Sequence, residues 1–190
     1  MKMDDDCPEI LTSTEIYKGK QFDLTIDTIK EQGRIHAREV ILHPGSAVIL
    51  ALDAKLSVFF VRQYRHATRK YLLELPAGSL EPGERPEDTA VRELQEEVGL
   101  RAQNLEKLCE FFVSPGFLQE KMWLFLATGL TEVQQQPEED EFLEIVQLSF
   151  ADALERVTAG EIQDAKTIIG LMFAALRINA QMPNAEYPAV

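Results

Sequence analysis

Three glutamates in the middle of the chain, Glu93, Glu96 and Glu97, have a spacing that could hold a metal ion. In an α-helix, residues three and four positions apart share one face, so the spacing brings three carboxylates together. Like charges repel, but carboxylate oxygens are the ligands that a hard cation such as Mg²⁺ prefers. A bound cation would relieve the repulsion, polarise a phosphoryl group and lower the pKa of a water molecule. Taken alone, such a cluster is usually a solvated helix face.

The stretch 86–98 has the features of the helix that these glutamates require. Pro86 suits the first helical position, and Gly99 suits the position just past the C terminus. Apolar residues recur at helical spacing along one side; they are Ala90, Val91, Leu94 and Val98. The pattern therefore predicts a helix with a packed side and an opposite side of clustered carboxylates.

The loop before this helix completes a longer pattern. Gly78 and Gly83 allow tight or left-handed turns, and Arg92 can pair with Glu84 to hold the loop against the helix. The pattern is Gly, five residues, Glu, seven residues, then Arg-Glu-apolar-any-Glu-Glu-any-Gly-apolar, ending at Leu100. A chance match in a chain this long has a probability below about one in a million. The pattern resembles the Nudix box without departure, and the chain is similar to Nudix hydrolases.

This resemblance implies an α+β fold, an α/β/α sandwich with a mixed β-sheet, in which the box forms a loop, a helix and a second loop. The order of apolar and turn-forming segments also indicates a mixed α+β chain. It predicts strands at 15–30, 34–43, 47–52, 56–64, 72–75, 105–113, 121–128 and 142–148, and helices at 86–98, 150–158 and 164–180. Residues 1–12 are expected to be a loose acidic leader.

Segments outside the box resemble the ADP-ribose pyrophosphatase branch of the superfamily. They are 63–65, 74–78, 114–117, 138–144 and 160–167. The resemblance implies hydrolysis of the pyrophosphate bond of ADP-ribose to AMP and ribose 5-phosphate, with Mg²⁺ as cofactor and Mn²⁺ as a substitute. A pyrophosphatase for UDP- or GDP-sugars is the main alternative, because the box recognises the diphosphate and loops determine the selectivity.

The resemblance also implies roles for the box residues. Glu93, Glu96 and Glu97 would be metal ligands, with the backbone carbonyl of Ala77 as a further ligand, and Glu93 and Glu97 would thereby take part in catalysis. Glu84 and Arg92 would mainly keep the box in shape.

The attacking water needs a general base. A carboxylate on a mobile loop suits this role better than a glutamate already engaged with metal, because the loop can close after substrate binds. The acidic run 138–144 resembles the loop that supplies this base in the branch. We expect Glu139 to be the base and Glu141 to be a further metal contact.

Substrate contacts are expected from residues that lie before, within and after the box in the sequence. Arg65 is the expected phosphate-binding cation near the site. Arg38 and Glu39 correspond loosely to positions that reach into a neighbouring subunit in this branch. Further contacts to ribose and phosphates are expected from Ser79, Ser114, Pro115, Gly116 and Glu120.

In this branch the N-terminal strands form a small antiparallel sheet that is exchanged between two subunits, and residues 15–43 fit that role. The resemblance therefore implies a homodimer with a composite active site for a small nucleoside diphosphate sugar. The expected organisation is 1–43 as leader and dimerisation strands, 44–180 as the Nudix domain and 181–190 as a tail.

Composition excludes several other classes of protein. The net charge of −13 repels nucleic-acid phosphates, so no nucleic-acid partner is expected. No apolar run reaches the roughly 18 residues of a membrane span, and residues 1–6 do not resemble a signal peptide. The two cysteines, Cys7 and Cys109, lack the spacing of a metal site and favour free thiols in a reducing cytoplasm.

Two further function classes remain open. A nucleotide-sensing module could keep the fold without the chemistry, but such a module is expected to have an eroded box. A hydrolase of nucleoside triphosphates or of mRNA caps is disfavoured by the segments outside the box, and RNA is also disfavoured by the acidic charge.

Overall fold

The computed structural model describes residues 7–136 and 142–181. The described residues form two compact units, one within Met1–Gly45 and Phe112–Lys121 and the other within Ser46–Phe111 and Met122–Val190. The expected catalytic base Glu139, the expected metal contact Glu141 and residues 182–190 of the predicted tail lie outside the described residues.

The first unit contains a three-stranded antiparallel sheet in the order β1-β2-β3. The strands are β1 (Glu9–Lys18), β2 (Asp23–Glu31) and β3 (Arg34–Leu42). A two-residue turn at Gln32 and Gly33 joins β2 to β3, and both residues have positive φ (50° and 78°), as a type I′ hairpin requires. The predicted small N-terminal antiparallel sheet is therefore confirmed.

The prediction of one strand over 15–30 is wrong, as is that of a loose leader reaching residue 12. Strand β1 begins at Glu9, and a turn separates it from β2, with the Gly19 amide donating to the Phe22 carbonyl (3.1 Å). A Cβ on Gly19 would lie 2.5 Å from the Tyr17 ring, so only glycine fits there. Every residue of β1 is exposed, and the buried alternation that marks a strand in sequence is therefore missing.

The second unit is built on a mixed sheet with helices on both faces. Within the described residues the sheet has seven strands, ordered β12-β5-β4-β10-β9, with β6 paired to β5 and β7 paired to β4. Strands β4 and β10 are parallel, and the other pairings with β4 and β5 are antiparallel. The strands are β4 (Ser46–Leu52), β5 (Ser57–Arg65), β6 (Lys70–Glu74), β7 (Ala77–Ser79), β9 (Asn104–Phe112), β10 (Lys121–Thr128) and β12 (Glu144–Ser149).

Three helices and a small ribbon complete the described part of this unit. The helices are α1 (Pro86–Val98), α2 (Phe150–Thr158) and α3 (Ala165–Gln181), and the ribbon pairs β8 (Leu100–Arg101) with β11 (Thr131–Glu132). The α+β fold with a mixed sheet, expected from the sequence, is confirmed.

Strand β4 is buried along its whole length and divides the core into two layers. On one face Ala47, Ile49 and Ala51 pack with apolar residues of α1. On the other face alternate residues of β4 pack with Phe150 of α2 and Leu171 of α3. This alternation of period two gives the α/β/α layering, and it fixes α1 against one face of the sheet.

Two further expectations from the sequence concern the cysteines and membrane-spanning segments. Cys7 and Cys109 form no disulfide, in agreement with the expected free thiols. Within residues 7–136 and 142–181, no helix is long and apolar enough to cross a membrane.

Candidate active site

Helix α1 carries the three glutamates at the bounds that the sequence predicts. It begins at Pro86 and ends before Gly99, whose φ of 68° is left-handed and whose amide closes the last turn. Glu93 and Glu97 are 7% and 3% exposed, whereas Val91 is 51% exposed. The expectation of carboxylates opposite an apolar stripe is therefore wrong in part. Both glutamates flank the packed face, one turn apart, and Val91 faces solvent.

The buried face of α1 meets the backbone of β7. The Ala77 amide donates a hydrogen bond to Glu97 Oε2 (3.0 Å). A Cβ on Gly78 would lie 1.7 Å from Glu93 Oε1, so this position must be glycine for the carboxylate to approach. Gly78 thus serves close approach and not the turn expected from the sequence, while Gly83 does have left-handed φ (84°).

Arg92 joins the loop to the helix through several hydrogen bonds from its guanidinium group. Its Nε and Nη2 donate to the two carboxylate oxygens of Glu84 (3.1 and 3.0 Å). Its Nη1 donates to Glu93 Oε1 (2.6 Å) and to Glu96 Oε2 (2.9 Å), and Nη2 also donates to the Ser79 carbonyl (3.1 Å). The predicted pairing of Arg92 with Glu84 is therefore present, and the same guanidinium gathers two of the three clustered glutamates.

Glu84 forms an ion pair with Arg92. Hydrogen bonds from Arg92 lower the pKa of Glu84 to about 2; burial opposes this effect, and bonds from the Glu81 amide and the Thr89 hydroxyl support it. Hydrogen bonding to Glu84 in turn raises the pKa of Arg92 above its ordinary value. Both groups stay charged, and the loop stays attached to α1.

The donor set suits a hard divalent cation. Three carboxylates and the adjacent backbone offer oxygen atoms of the kind that such a cation binds, and the absence of a side chain at Gly78 lets the Glu93 carboxylate approach the backbone of β7. In the described ranges 7–136 and 142–181, no three acidic, His or Cys side chains converge on one point. The reason is that Glu93 and Glu96 turn toward Arg92, and Glu97 turns toward the Ala77 amide.

Arg65 ends β5 and is held by a buried acid. Its Nε and Nη2 donate to Glu74 Oε1 and Oε2, both at 2.8 Å. The Glu74 side chain is 1% exposed and also accepts a hydrogen bond from Lys166 Nζ. The sequence analysis assigned no role to Glu74 or Lys166. The signal that could have found Glu74 is a single acid in the apolar run 71–75, because a buried charge needs a partner.

The remaining predicted substrate residues belong to the first unit. Arg38 and Glu39 lie on β3, where Arg38 Nη2 is 3.7 Å from the Glu31 carboxylate. The Ser114 carbonyl accepts hydrogen bonds from the amides of residues 117 and 118, so Pro115 and Gly116 form the tip of a tight turn. Glu120 Oε1 lies 3.7 Å from His43 Nδ1. The structure thus gathers Ala77, Ser79, Glu93, Glu96 and Glu97 around α1 and places Arg38, Glu39, Ser114, Pro115, Gly116 and Glu120 in the other unit.

Comparison with known proteins bears on this arrangement of α1 and its loop. The family model of the NUDIX domain matches residues 42–168. The chain belongs to the Nudix family. It is a hydrolase of that family, whose members generally use divalent metal ions.

Two curated relatives and one solved structure are similar over most of the chain. An ADP-ribose pyrophosphatase of Bacillus subtilis (strain 168) is 37% identical over 170 residues, which cover 88% of this chain and 92% of the relative. A GDP-mannose pyrophosphatase of Cronobacter sakazakii is 36% identical over 167 residues, covering 81% and 86%. A crystal structure of an ADP compounds hydrolase superposes with a TM-score of 0.81 at 22% identity, covering 92% of this chain and 96% of its own, which supports the fold.

Proposed function

We propose that this chain is a Mg²⁺-dependent pyrophosphohydrolase that converts ADP-ribose and water to AMP and ribose 5-phosphate. The observation that carries the proposal is the pair of buried carboxylates, Glu93 and Glu97, packed against the backbone of Ala77 and Gly78. The similarity to an ADP-ribose pyrophosphatase over 88% of the chain supports the substrate.

The reaction replaces one phosphoanhydride bond by a bond to water. The water oxygen attacks one phosphorus, the bridging P–O bond breaks, and the other phosphate leaves with the bridging oxygen. One proton of the water goes to a general base, and two phosphomonoesters result. When bound, Mg²⁺ supplies positive charge that neutralises the phosphate oxygens of both halves.

The cation is proposed to be held by Glu93, Glu96 and Glu97, with the Ala77 carbonyl as a further ligand. Burial beside Gly78 keeps Glu93 and Glu97 from solvent, so a bound cation would be attracted more strongly than at an exposed helix face. Arg92 holds Glu93 and Glu96 in reach of each other, and Ser79 belongs to the same loop. Mn²⁺ fits the same oxygen ligands and is the expected substitute.

The general base is proposed to be Glu139, with Glu141 as an additional metal contact. Support comes from the described residues that precede the acidic run in the sequence. Gln135 donates a side-chain hydrogen bond to the Glu97 carbonyl (2.7 Å), and the Gln136 amide donates to the Glu96 carbonyl (3.3 Å). The chain therefore leaves the C-terminal end of α1 immediately before the acidic run that contains Glu139.

Phosphate and ribose binding are proposed to involve Arg65 and the other substrate residues expected from the sequence. Arg65 would contact a phosphate oxygen, since a guanidinium has more donors than one carboxylate uses. Further contacts are proposed from Ser79 of β7 and, separately, from the tight turn at 114–118 and the segment that follows it, namely Ser114, Pro115, Gly116 and Glu120. Arg38 and Glu39 are proposed to reach the site of a second subunit.

GDP- or UDP-sugars are a second candidate class of substrate. The specific observation in its favour is the 36% identity to a GDP-mannose pyrophosphatase over 81% of the chain. The metal-binding and base residues would serve either substrate in the same way, because they act on the diphosphate. Selectivity would then depend on the loops that contact the base and the sugar.

A product assay tests this proposal. The protein is incubated with Mg²⁺ and, separately, ADP-ribose, GDP-mannose, UDP-glucose and ATP, and the products are resolved by ion-exchange chromatography. Fastest formation of AMP from ADP-ribose is the expected result. Faster formation of GMP from GDP-mannose would replace the substrate, and release of pyrophosphate from ATP, or no cleavage with Mg²⁺ or Mn²⁺, would refute the proposal.

A further inference from the structure

A network of buried charges lies behind the segment 74–77 that carries the Ala77 ligand. Glu74 is 1% exposed and Lys166, in the first turn of α3, is 8% exposed. Lys166 Nζ donates to Glu74 Oε2 and to Asp164 Oδ1, the latter at 3.1 Å. Burial alone would raise the pKa of Glu74, but the hydrogen bond from Arg65 and the charge of Lys166 hold it below its ordinary value. Glu74 is therefore a buried carboxylate that remains ionised.

The backbone of this segment is held without the Glu74 carboxylate. The Leu75 amide donates to Thr167 Oγ1 (2.8 Å), and the Pro76 carbonyl accepts from the Ile49 amide (2.9 Å). The Ala77 amide donates to Glu97 (3.0 Å). Buried ion pairs often contribute little net stability, because desolvation offsets the attraction between the charges. A role other than fixing the segment is therefore needed to explain the charge at position 74.

The geometry of Arg65 indicates that role. Glu74 takes the edge of the guanidinium formed by Nε and Nη2, and Nη1 has no hydrogen-bond partner among the described residues. Hydrogen bonding to Glu74 raises the pKa of Arg65, and the nearby charge of Glu97 acts in the same direction. Arg65 thus lies within electrostatic reach of a proposed metal ligand while one edge still has donors to offer. A guanidinium can bind a carboxylate with one edge and a phosphate with another.

We propose that Glu74, itself held by Lys166, is a positioning residue that presents the Nη1 edge of Arg65 to a diphosphate oxygen of the substrate. The inference rests on the proposed function, because it assigns the phosphate contact to Arg65. Glu74 does not touch substrate and acts only through Arg65. Its two-point contact fixes the plane of the guanidinium, which a single hydrogen bond would leave free to rotate.

A double-mutant cycle separates this role from a structural one. We compare wild type, Glu74→Gln, Arg65→Met and the double variant by kcat/KM for ADP-ribose. Glu74→Gln is expected to lower kcat/KM on the order of 10- to 100-fold, the weight of a charge-assisted contact. In the Arg65→Met background the same change is expected to cost less than about threefold, because there is no guanidinium left to position. Equal losses in both backgrounds would overturn the inference.

The pair Arg177–Glu106 provides a matched control. Arg177 of α3 donates to Glu106 Oε1 at 2.6 Å, and both side chains are about half exposed (52% and 48%). Glu106→Gln removes the same charge from an exposed arginine–glutamate pair outside the proposed site. It is expected to leave kcat/KM unchanged, and thermal unfolding of every variant checks that folding is retained.

Nuclear magnetic resonance on the wild-type protein gives a second readout that needs no turnover. The ¹⁵N-bound side-chain signal of Arg65 is assigned by its loss in Arg65→Met, and Mg²⁺ with α,β-methylene-ADP is then added. The inference predicts a shift of this signal on binding, with slow hydrogen exchange at Nε preserved by Glu74. Absence of a shift would overturn it. If the wild type cuts no nucleoside diphosphate sugar, the proposed function fails, and this measurement still decides whether Arg65, held at Nε by Glu74, binds a diphosphate, even where Glu74→Gln does not fold.

Discussion

Gly78 shows how a single residue controls the chemistry of its neighbour. The site depends on the approach of the Glu93 carboxylate to the backbone of β7, and any side chain at position 78 would occupy the same space. The atom that would clash is the far end of Glu93, which can rotate away. The consequence of a larger residue is therefore a displaced carboxylate and not a broken fold.

Gly78→Ala is accordingly expected to lower kcat on the order of 100-fold, the effect of moving a catalytic group by about an ångström. Folding should be retained, with only a small shift of the thermal midpoint. Gly160→Ala is the control, since it meets no atom within 4 Å but has φ of 73°. It should cost about 1 kcal/mol of stability from backbone strain and leave kcat intact. Full activity of Gly78→Ala would contradict the assignment of Glu93.

The lowered pKa of Glu84 predicts that the stability of the fold depends on pH. Its pKa in the folded protein is about 2, against 4.5 for an ordinary glutamate. A lowered pKa stabilises the fold above the ordinary value, and the contribution disappears as the pH falls from 4.5 toward 2. Wild type should therefore exceed Glu84→Gln in free energy of unfolding at pH 7, and the difference should shrink below pH about 4.5 in urea titrations. A difference that stays constant down to pH about 3 would show that the Arg92 contact carries no such linkage.

At the scale of elements, one hydroxyl group of α3 binds the backbone of the segment before the box. Thr167 Oγ1 accepts from the Leu75 amide (2.8 Å) and donates to Asp164 Oδ2 (2.6 Å), and the residue is fully buried. Asp164 also accepts from the Thr167 amide, as an N-terminal cap of the helix does. The start of α3 thereby holds the Leu75 amide, which lies in the connection between β6 and β7.

Thr167→Val keeps the shape of the side chain but leaves the Leu75 amide buried without a partner. The expected loss is about 1 to 3 kcal/mol in free energy of unfolding, measured by urea titration. Thr158→Val in α2 removes an exposed hydroxyl that donates to the Glu155 carbonyl (2.8 Å), and this control should change stability by no more than about 0.5 kcal/mol. Similar losses for both variants would show that the hydrogen bond to the Leu75 amide contributes no more stability than an exposed hydrogen bond.

The sequence predicts the elements that have periodic apolar residues and clear boundaries. Helix α1 has Pro86 as its first residue and Gly99 just after it, and its bounds match the prediction. Strands β7, β8 and β11 were missed because a strand of two or three residues is too short to show an alternation of apolar and polar residues. The first strand was merged with the second because β1 buries none of its residues. In the site, the sequence of the box predicts which glutamates cluster. Glu74 and Lys166 come together only because α3 packs on the sheet, and no local sequence pattern predicts that contact.

At the scale of the whole molecule, the exposed apolar residues of the N-terminal sheet favour a second copy of the chain as partner. Ile10, Ile16 and Ile35 are 63%, 52% and 65% exposed on β1 and β3. Solvent-exposed β-branched residues in such number on a small sheet are costly unless another surface covers them. Arg38 and Glu39 belong to the same sheet and would then contribute to a composite site.

Size-exclusion chromatography with light scattering is expected to give twice the chain mass of 21.5 kDa. Ile16→Glu should shift the protein toward monomer because it places a charge within the contact. Lys55→Glu, an exposed change in the turn before β5, is the control and should leave the mass unchanged. A wild-type mass of one chain at micromolar concentration would refute the composite site.

If the buried carboxylate face of α1 is the catalytic centre, Glu97→Gln should remove most of the activity. Glu97 is 3% exposed and contacts the Ala77 amide, whereas Glu87 is an exposed acid in the first turn of the same helix. We would measure kcat for AMP formation from ADP-ribose at saturating Mg²⁺ with Glu97→Gln and Glu87→Gln in parallel. We expect kcat to fall at least about 100-fold in Glu97→Gln, the effect of removing one preorganised electrostatic group, and to be unchanged in Glu87→Gln. Equal activity of the two variants would contradict the assignment of this face as the catalytic centre.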